Sequence, residues 1–281
     1  MARSLKRLVL DALEEDIGLG DVTTNSTVPP HDRCRVRLVA KQPGVLSGIK
    51  VFHQAFECMK AGTRDWTAIP DGARFKSGQE LASFEGGTRA VLTAERTALN
   101  FVQHLSGVAT LTARYVAAVE GLKTRICDTR KTTPLLRKLE KDAVVHGGGS
   151  NHRFDLSNGV LIKENHIAAA GGIAEAVAKV KNGAHHLMRL EVEASSLKEF
   201  DEALAAGADV ILLDNMTVDD MRKAVRRARG RKVLLEASGN ATLKNVRAMA
   251  ETGVDVISVG ALTHSAPAAD ISLLIEAIRS R

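Results

Sequence analysis

Aromatic side chains are scarce in this sequence. They make up 3% of the 281 residues, with one Trp and one Tyr, so surfaces on which single-stranded bases could stack are nearly absent. The net charge of +6 would suit either nucleic acid or small acidic substrates. The densest basic run, residues 222–232, falls on a predicted helix, and we interpret it as a solvated face. We therefore expect no nucleic-acid partner.

Cysteines and long apolar runs are also few. The three cysteines are odd in number and widely spaced, which predicts neither a disulfide framework nor a metal site. No apolar run reaches the roughly 18 residues that a membrane helix needs, and the N-terminal residues lack the long uncharged segment of a signal peptide. We expect a cytoplasmic protein with no membrane partner.

Several catalytic motifs are missing. The three glycines at 147–149 do not form the phosphate-binding pattern GxxxxGK[ST], and there is no HExxH zinc motif. No GxSxG turn presents a serine nucleophile. The sequence thus offers no obvious residue for covalent acyl transfer and no nucleotide-binding loop of this type.

The first third of the chain mixes predicted helices and strands. Apolar residues at helical spacing indicate helices, and alternation of charged and apolar residues indicates a strand with one solvated face. The predicted elements are a helix at 5–13 capped by Ser4, a strand at 33–40, a helix at 51–60 and a helix at 93–120 broken at 106–107. Residues 1–107 are therefore interpreted as a small α+β domain.

Beyond residue 123 short apolar runs alternate with helical segments. The runs lie at 124–128, 159–163, 187–193, 209–214, 232–238 and 255–260. This rhythm predicts a parallel sheet covered by helices. Because six units occur without a dinucleotide-binding glycine motif, we favour a closed or nearly closed α/β barrel over an open sheet.

The six predicted strands end in polar or small residues. Since active sites of parallel barrels lie at the C-terminal ends of the strands, these residues are candidates for one site. The cationic candidates are Arg130, Lys131, His152, Arg153 and Lys163. Arginine suits carboxylates and phosphates, and the carboxylates of Glu193 and Asp214 suit Mg²⁺ or sugar hydroxyls. Residues 238–240 precede a predicted helix, whose N-terminus favours phosphate.

Long motifs then resemble those of the quinolinate phosphoribosyltransferase family. The matching segments are EEDIGLGDVTT, LTAERTALNFVQHLSGVAT, DTRKTTPLLRKLEK, GGGSNHRFDLSNGVLIKENH, LEVEASSL, ADVILLDNM, EASGN and ISVGALTHSAPAADISLLI. The resemblance covers nearly the whole chain. It implies an α/β fold with an N-terminal α/β sandwich domain at 1–107, onto which a C-terminal helix could pack back, and an incomplete parallel α/β barrel at 108–281.

The resemblance also implies an activity. Family members transfer phosphoribosyl from 5-phosphoribosyl 1-pyrophosphate to quinolinate with decarboxylation, giving nicotinate mononucleotide, pyrophosphate and CO₂ in NAD biosynthesis, with Mg²⁺. They are homodimers in which each active site receives an arginine from its neighbour, and Arg96 matches that arginine. By itself, the sequence would place Arg96 only on a helix surface.

Residue roles follow from the same resemblance. Catalytic roles are expected for Lys131, Lys163, Glu193 and Asp214, and metal binding for Glu193 and Asp214, directly or through the bound sugar. The expected substrate-binding residues are Arg96, Arg130, Lys131, Thr132, His152, Arg153, Lys163, Glu193, Asp214, Ser238, Gly239, Asn240, Ser258 and Gly260.

Two other functions stay open. A relative of the same fold could use another pyridine acid such as nicotinate, although one carboxylate hardly needs so many cations. A non-catalytic anion-binding barrel would bind quinolinate without releasing CO₂.

Overall fold

Two compact units make up the chain, which a computed structural model describes over residues 4–278. The first unit comprises the described residues up to Leu111, Pro134–Gly148 and the residues from Ala266 onward. The second comprises Thr112–Thr133 and Gly149–Ser265. The predicted division into domains 1–107 and 108–281 stays a prediction.

A four-stranded antiparallel sheet forms the centre of the first unit. Its strands, in the order β12-β1-β5-β3, are Ile271–Ala277 (β12), Arg33–Ala40 (β1), Glu80–Gly87 (β5) and Arg64–Ala68 (β3). Alternate residues of β1, from Cys34 to Ala40, are buried, as expected for a strand with one solvated face. The short strands Gly44–Val45 (β2) and Arg74–Phe75 (β4) pair separately.

Helices complete the first unit. They are Leu5–Ile17 (α1), Val22–Thr27 (α2), Ile49–Cys58 (α3), Thr88–Ala118 (α4), whose last residues belong to the second unit, and Arg137–His146 (α5). The Ser4 hydroxyl accepts the Arg7 N–H at 3.3 Å, which confirms the predicted cap of α1. The predicted break at 106–107 is wrong, because α4 continues through both residues.

The C-terminal segment is a strand, so the expected C-terminal helix is wrong. β12 pairs with β1 over seven residues, from Cys34 opposite Ala277 to Ala40 opposite Ile271. The apolar residues of this segment fit helical spacing as well as strand spacing, and pairing with the open edge of β1 decides between them.

The second unit contains a six-stranded parallel sheet. Its strands are Arg125–Cys127 (β6), Val160–Ile162 (β7), Leu190–Ala194 (β8), Val210–Asp214 (β9), Leu234–Ser238 (β10) and Val256–Ser258 (β11). The order is β6-β11-β10-β9-β8-β7, so β6 and β7 are the end strands of an incomplete barrel. All six predicted strands are confirmed.

Helices alternate with these strands, as predicted. They are Glu164–Ala170 (α6), Ile173–Gly183 (α7), Leu197–Ala206 (α8), Val218–Arg227 (α9), Val246–Ala250 (α10) and Ala261–His264 (α11). Beside the end strand β6, the Ser150 N–H donates to the Ile126 carbonyl at 2.8 Å and the Asp128 N–H donates to the Ser150 carbonyl at 3.1 Å. Ser150 therefore pairs with Cys127 at the open edge of β6.

Candidate active site

A cavity of about 740 Å³ lies at the C-terminal ends of the parallel strands. We call it the strand-end cavity. Twelve predicted site residues line it: Arg130, Lys131, His152, Arg153, Lys163, Glu193, Asp214, Ser238, Gly239, Asn240, Ser258 and Gly260. Residues from six strands and their following loops thus meet in one place, as the parallel arrangement predicts.

Two arginines lie close together in this cavity. Burial lowers the pKa of Arg153 from its usual value, and the neighbouring positive charge of Arg130 lowers this pKa further. Arg153 Nη1 donates to the Gly159 carbonyl at 3.1 Å. The buried Arg130 Nε has no hydrogen-bond partner among the described residues. Two adjacent guanidinium groups with donors to spare are suited to an anion that carries more than one negative charge.

Carboxylates lie beside the cations. Lys163, which follows β7, donates its Nζ to Glu193 Oε2 on β8 at 2.9 Å. Asp214, the last residue of β9, accepts the side-chain amide of Asn215 at 2.8 Å. Glu193 and Asp214 both face the cavity, so anion-binding and cation-binding groups lie within one cavity.

The loops after β9 and β10 need unusual backbone conformations. Asn215, Gly239 and Asn240 have φ values of 53°, 89° and 51°, in the left-handed region that Gly and Asn tolerate best. The Asn240 side-chain amide donates to Asn215 Oδ1 at 3.0 Å. A Cβ at Gly239 would lie 2.1 Å from that same oxygen, so any other residue would have to displace the Asn215 side chain and would also be strained by the positive φ.

A helix follows residues 238–240, as expected, although not directly. Helix α10 begins at Val246, and the Val246 N–H donates to the Thr242 carbonyl at 2.9 Å, so helical hydrogen bonding starts two residues after Asn240. The expected role of this helix end in phosphate binding stays a prediction.

The loop after β11 packs against the loop after β6. A Cβ at Gly260 would lie 3.0 Å from Lys131 Cδ and 3.2 Å from His264 Nε2. The Thr263 hydroxyl donates to the Lys131 carbonyl at 2.6 Å. Gly260 and Thr263 therefore fix the loop that carries Lys131.

Two expected substrate-binding residues are not among the residues lining this cavity. Thr132 donates its backbone N–H to the Arg130 carbonyl at 2.9 Å, which shapes the cationic loop. Arg96 is exposed on α4 of the first unit, as expected for a helix-surface arginine. Its expected role in a neighbouring active site stays a prediction.

Sequence reasoning missed several residues of the cavity. Among them are Glu236 and His264. Glu236 had a usable signal, because a glutamate inside an apolar run of a parallel strand is rarely buried without a partner. Glu191, one position before Val192 in β8, carries the same signal. His264 is the last residue of the short helix α11 that follows β11. It lies in no apolar strand, so no sequence pattern indicated that it would line the cavity.

His152 and the buried carboxyl groups of Glu191 and Glu236 form a cluster, which we call the floor cluster. One ligating atom from each residue lies within 4.8 Å of the others. Burial, and then repulsion by the neighbouring Glu191, raise the pKa of Glu236 to about 7. His152 and Glu236 line the strand-end cavity and a second cavity of about 260 Å³ near the N-terminal ends of the strands. These side chains therefore separate the two cavities.

Family comparisons cover nearly the whole chain. The family model "Quinolinate phosphoribosyl transferase, N-terminal domain" matches residues 21–106, and the corresponding C-terminal domain matches residues 108–274. The chain belongs to the quinolinate phosphoribosyltransferase family. The resemblance inferred from the sequence motifs is thereby confirmed.

Individual relatives agree with this assignment. A nicotinate-nucleotide pyrophosphorylase [carboxylating] of Mycobacterium leprae is 45% identical over 267 residues, covering 93% of this chain and 94% of the relative. A probable enzyme of the same name from Bacillus subtilis is 42% identical over 269 residues, covering 96% of this chain and 92% of the relative. The crystal structure of nicotinate-nucleotide pyrophosphorylase from Ehrlichia chaffeensis has a TM-score of 0.92 at 38% identity, covering 98% and 100% of the two chains.

The quinolinate phosphoribosyltransferase fold accounts for both sheets. An antiparallel sheet with helices and a parallel barrel-like sheet are the N-terminal sandwich and C-terminal barrel of the family, so the predicted fold class is confirmed. None of the helices within residues 4–278 is long and apolar enough to cross a membrane.

Proposed function

We propose that this chain transfers the phosphoribosyl group of 5-phosphoribosyl 1-pyrophosphate to the ring nitrogen of quinolinate and releases CO₂, forming nicotinate mononucleotide and pyrophosphate for NAD synthesis. Family membership supports this function. The observation that carries it is one cavity in which Arg130, Lys131, Arg153 and Lys163 lie beside Glu193 and Asp214.

The cations serve to bring two anions together. Quinolinate carries two carboxylates and the activated sugar carries several phosphate charges, so their approach in water is repulsive. Arg130 and Arg153 suit the carboxylates because guanidinium groups bind them through two parallel hydrogen bonds. Lys131 and Lys163 add compact positive charges next to them. Holding both substrates in one orientation lowers the entropic part of the barrier.

The acidic residues act at the sugar. Displacement at the anomeric carbon develops positive charge there, which the Glu193 and Asp214 carboxylates stabilise. Both are also suited to ribose hydroxyls. Lys163, whose Nζ lies 2.9 Å from Glu193 Oε2, orients that carboxylate.

Mg²⁺ fits the same carboxylates. Glu193 and Asp214 offer the hard oxygen ligands that this ion prefers, and both face the cavity. We propose that they hold it, directly or through the bound sugar. When bound, the ion would neutralise charge on the departing pyrophosphate.

Loss of CO₂ follows the transfer. Once bonded to the sugar, the pyridine nitrogen is positive, and it stabilises the electron pair left on the adjacent carbon when the carboxylate departs as CO₂. That carbon then takes up a proton, and we propose Lys131 or Lys163 as its source. No covalent enzyme intermediate is required.

A homodimer in which Arg96 reaches the neighbouring active site completes the proposal. It predicts that chains carrying R96A and chains carrying R153A complement each other. In a random mixture, about a quarter of all sites combine an intact Arg153 with an intact Arg96 from the neighbour. Co-expression should therefore restore about 25% of wild-type activity, and no recovery would exclude a shared site. Two differently tagged wild-type chains serve as the control for mixing.

The direct test is a product assay. Purified protein is mixed with Mg²⁺, 5-phosphoribosyl 1-pyrophosphate and quinolinate labelled in the carboxylate next to nitrogen. We expect labelled CO₂ and nicotinate mononucleotide in equal amounts. Replacing quinolinate with nicotinate should give no product; mononucleotide formed from nicotinate alone would favour the alternative pyridine acid. Quinolinate binding without CO₂ release would favour a non-catalytic barrel.

A further inference from the structure

The floor cluster places an imidazole between two buried carboxyl groups. His152 Nε2 lies 3.1 Å from Glu191 Oε2 and 3.7 Å from Glu236 Oε1. Glu191 and Glu236 are 7% and 4% exposed. Glu191 Oε1 and Glu236 Oε1 are buried without hydrogen-bond partners among the described residues. Such an arrangement would ordinarily suggest a charged imidazolium.

The other ring nitrogen indicates a different state. The backbone N–H of Arg153 donates to His152 Nδ1 at 2.8 Å. A nitrogen that accepts a hydrogen bond carries no proton, so the proton of a neutral ring is on Nε2, where it points to Glu191. The backbone N–H of His152 donates to Asp128 Oδ1 at 2.8 Å. This hydrogen bond fixes the backbone at His152.

We propose that Glu191 and Glu236 are positioning residues that hold His152 as the neutral Nε2–H tautomer, so that His152 fixes the floor of the quinolinate pocket and the neighbouring Arg153 without adding positive charge. This inference rests on the proposed function only for its substrate. It revises the expectation that His152 is one of the cationic residues of the site.

The groups around the imidazole are consistent with a neutral ring. Glu191 on β8 accepts the hydrogen bond from His152 Nε2–H, and Glu236 on β10 lies 3.7 Å from the same nitrogen. Because burial and Glu191 favour the protonated form of Glu236, one carboxyl can be neutral beside a neutral imidazole. Ser258 on β11 hydrogen-bonds Glu236, and Arg153 places a positive charge near Glu191. A positive charge on His152 would lower the pKa of Glu236, so a neutral imidazole further favours its protonated form.

A divalent ion suits this cluster less well. A neutral histidine that binds a metal through Nε2 normally carries its proton on Nδ1. Here Nδ1 accepts the Arg153 N–H, so metal binding at Nε2 would require an imidazolate or loss of that hydrogen bond. The three ligating atoms are better explained as a proton-bearing hydrogen-bond cluster.

Nitrogen NMR tests the tautomer directly in the full-length protein. Histidine labelled with ¹⁵N at both ring positions gives distinct signals for a protonated and an unprotonated nitrogen, and the His152 signals are those lost in H152Q. At pH 7 without substrate we expect a protonated Nε2 and an unprotonated Nδ1. Two protonated nitrogens, or a proton on Nδ1, would overturn the proposal.

Kinetics tests the positioning role. Glutamine can reproduce the Nε2–H donor but cannot carry a positive charge, so H152Q should keep the KM for quinolinate within about threefold, while H152A should raise it at least about tenfold because the Glu191 acceptor loses its donor. A large, equal loss in both variants would mean that a charged histidine binds the substrate.

The carboxyl groups are tested with a matched pair. E236Q keeps the size and neutral character of a protonated carboxyl, so it should change the KM for quinolinate by less than about threefold. E236A should raise this KM at least about tenfold and leave the KM for the activated sugar nearly unchanged. Equal changes in both Michaelis constants would indicate general damage to the barrel instead of positioning.

A control variant exists in the first unit. His53 and Glu57 form another histidine–glutamate pair at 3.5 Å, outside the strand-end cavity. E57Q should leave both Michaelis constants unchanged. Because the NMR measurement needs no substrate, a wild-type protein that shows the expected tautomer but makes no mononucleotide would refute the proposed function and leave the tautomer standing.

Discussion

Single side chains decide how the cavity handles charge. The sequence pointed to Arg130, Arg153 and Lys163 because each follows an apolar run, and the structure places all three in one cavity. It did not reveal that Lys163 pairs with Glu193, because that contact depends on the register of β7 and β8. The charge state of His152 depends on the backbone N–H of Arg153, which donates to its Nδ1. No sequence pattern predicts the direction of that N–H.

Arg153 provides a test at this scale. R153A should raise the KM for quinolinate about 10- to 100-fold, since a charge-assisted hydrogen bond contributes about 1.5–3 kcal/mol. R153K keeps the charge but not the planar fork, so we expect an intermediate KM. Steady-state kinetics with each substrate varied checks this. If R153A keeps a near-native Michaelis constant and turnover, Arg153 does not bind the substrate.

Glu236 should make stability depend on pH. Its pKa is raised from 4.5 to about 7 in the folded chain, so the favourable contribution is complete below pH 4.5 and is lost as the pH rises through about 7. The loss is at most about 3 kcal/mol, at 1.36 kcal/mol per pKa unit. Urea unfolding of wild type and E236Q at pH 5, 6, 7 and 8 measures it. The stability difference between the two should shift in favour of E236Q with rising pH; a constant difference would contradict the raised pKa.

Helices and strands were largely predictable, and the exceptions share a cause. The six parallel strands follow from buried apolar runs, which need no partner to be recognised. The errors at 106–107 and at 271–277 arose where a distant segment sets the local structure. Gly107 stays helical, and a Cβ there would lie 2.1 Å from the Pro267 carbonyl oxygen. Glycine is needed at position 107 because the helix packs closely against another segment there, and it does not mark a helix end.

Substitution of Gly107 tests this interpretation. G107A gains up to about 1 kcal/mol of helix propensity but forces α4 and the segment at Pro267 apart, at a cost of about 1–3 kcal/mol. We expect a net loss of stability in urea unfolding. A Cβ added at Gly183, the last residue of α7, would have no atom within 4 Å. G183A is therefore the matched control, and it should leave the stability unchanged or raise it. Equal behaviour of both variants would refute the close-packing argument.

On the scale of the whole molecule, residues distant in sequence build each unit. The first unit contains both the described N-terminal residues and the segment from Ala266 onward, and the Gln103 side chain donates to the Ile271 carbonyl at 2.7 Å. The two-part architecture was predictable from the change of pattern near residue 123. The pairing of the C-terminal strand β12 with β1 of the first sheet was not predictable, because no local sequence pattern indicates it.

Removal of β12 tests this pairing. A chain that stops after Asp270 leaves the edge of β1 unpaired, and exposed edges destabilise a sheet and promote aggregation. We expect the melting temperature to fall by more than about 10 °C, or the protein to be insoluble. E276Q, which removes only the exposed Arg37–Glu276 ion pair, should melt within about 2 °C of wild type. A truncated chain that melts like wild type would show that β12 is dispensable.

The pairing of β1 with β12 also bears on biosynthesis. During translation, the parallel strands of the second unit can emerge and assemble before β12 has been synthesised. Until then one edge of β1 has no partner strand, because paired residues such as Cys34 and Ala277 are more than two hundred residues apart. Contacts of such separation form slowly. A chain that ended shortly before Ile271, once released from the ribosome, would therefore carry a complete parallel sheet but an unpaired edge on β1, and this is the edge that a chaperone would bind.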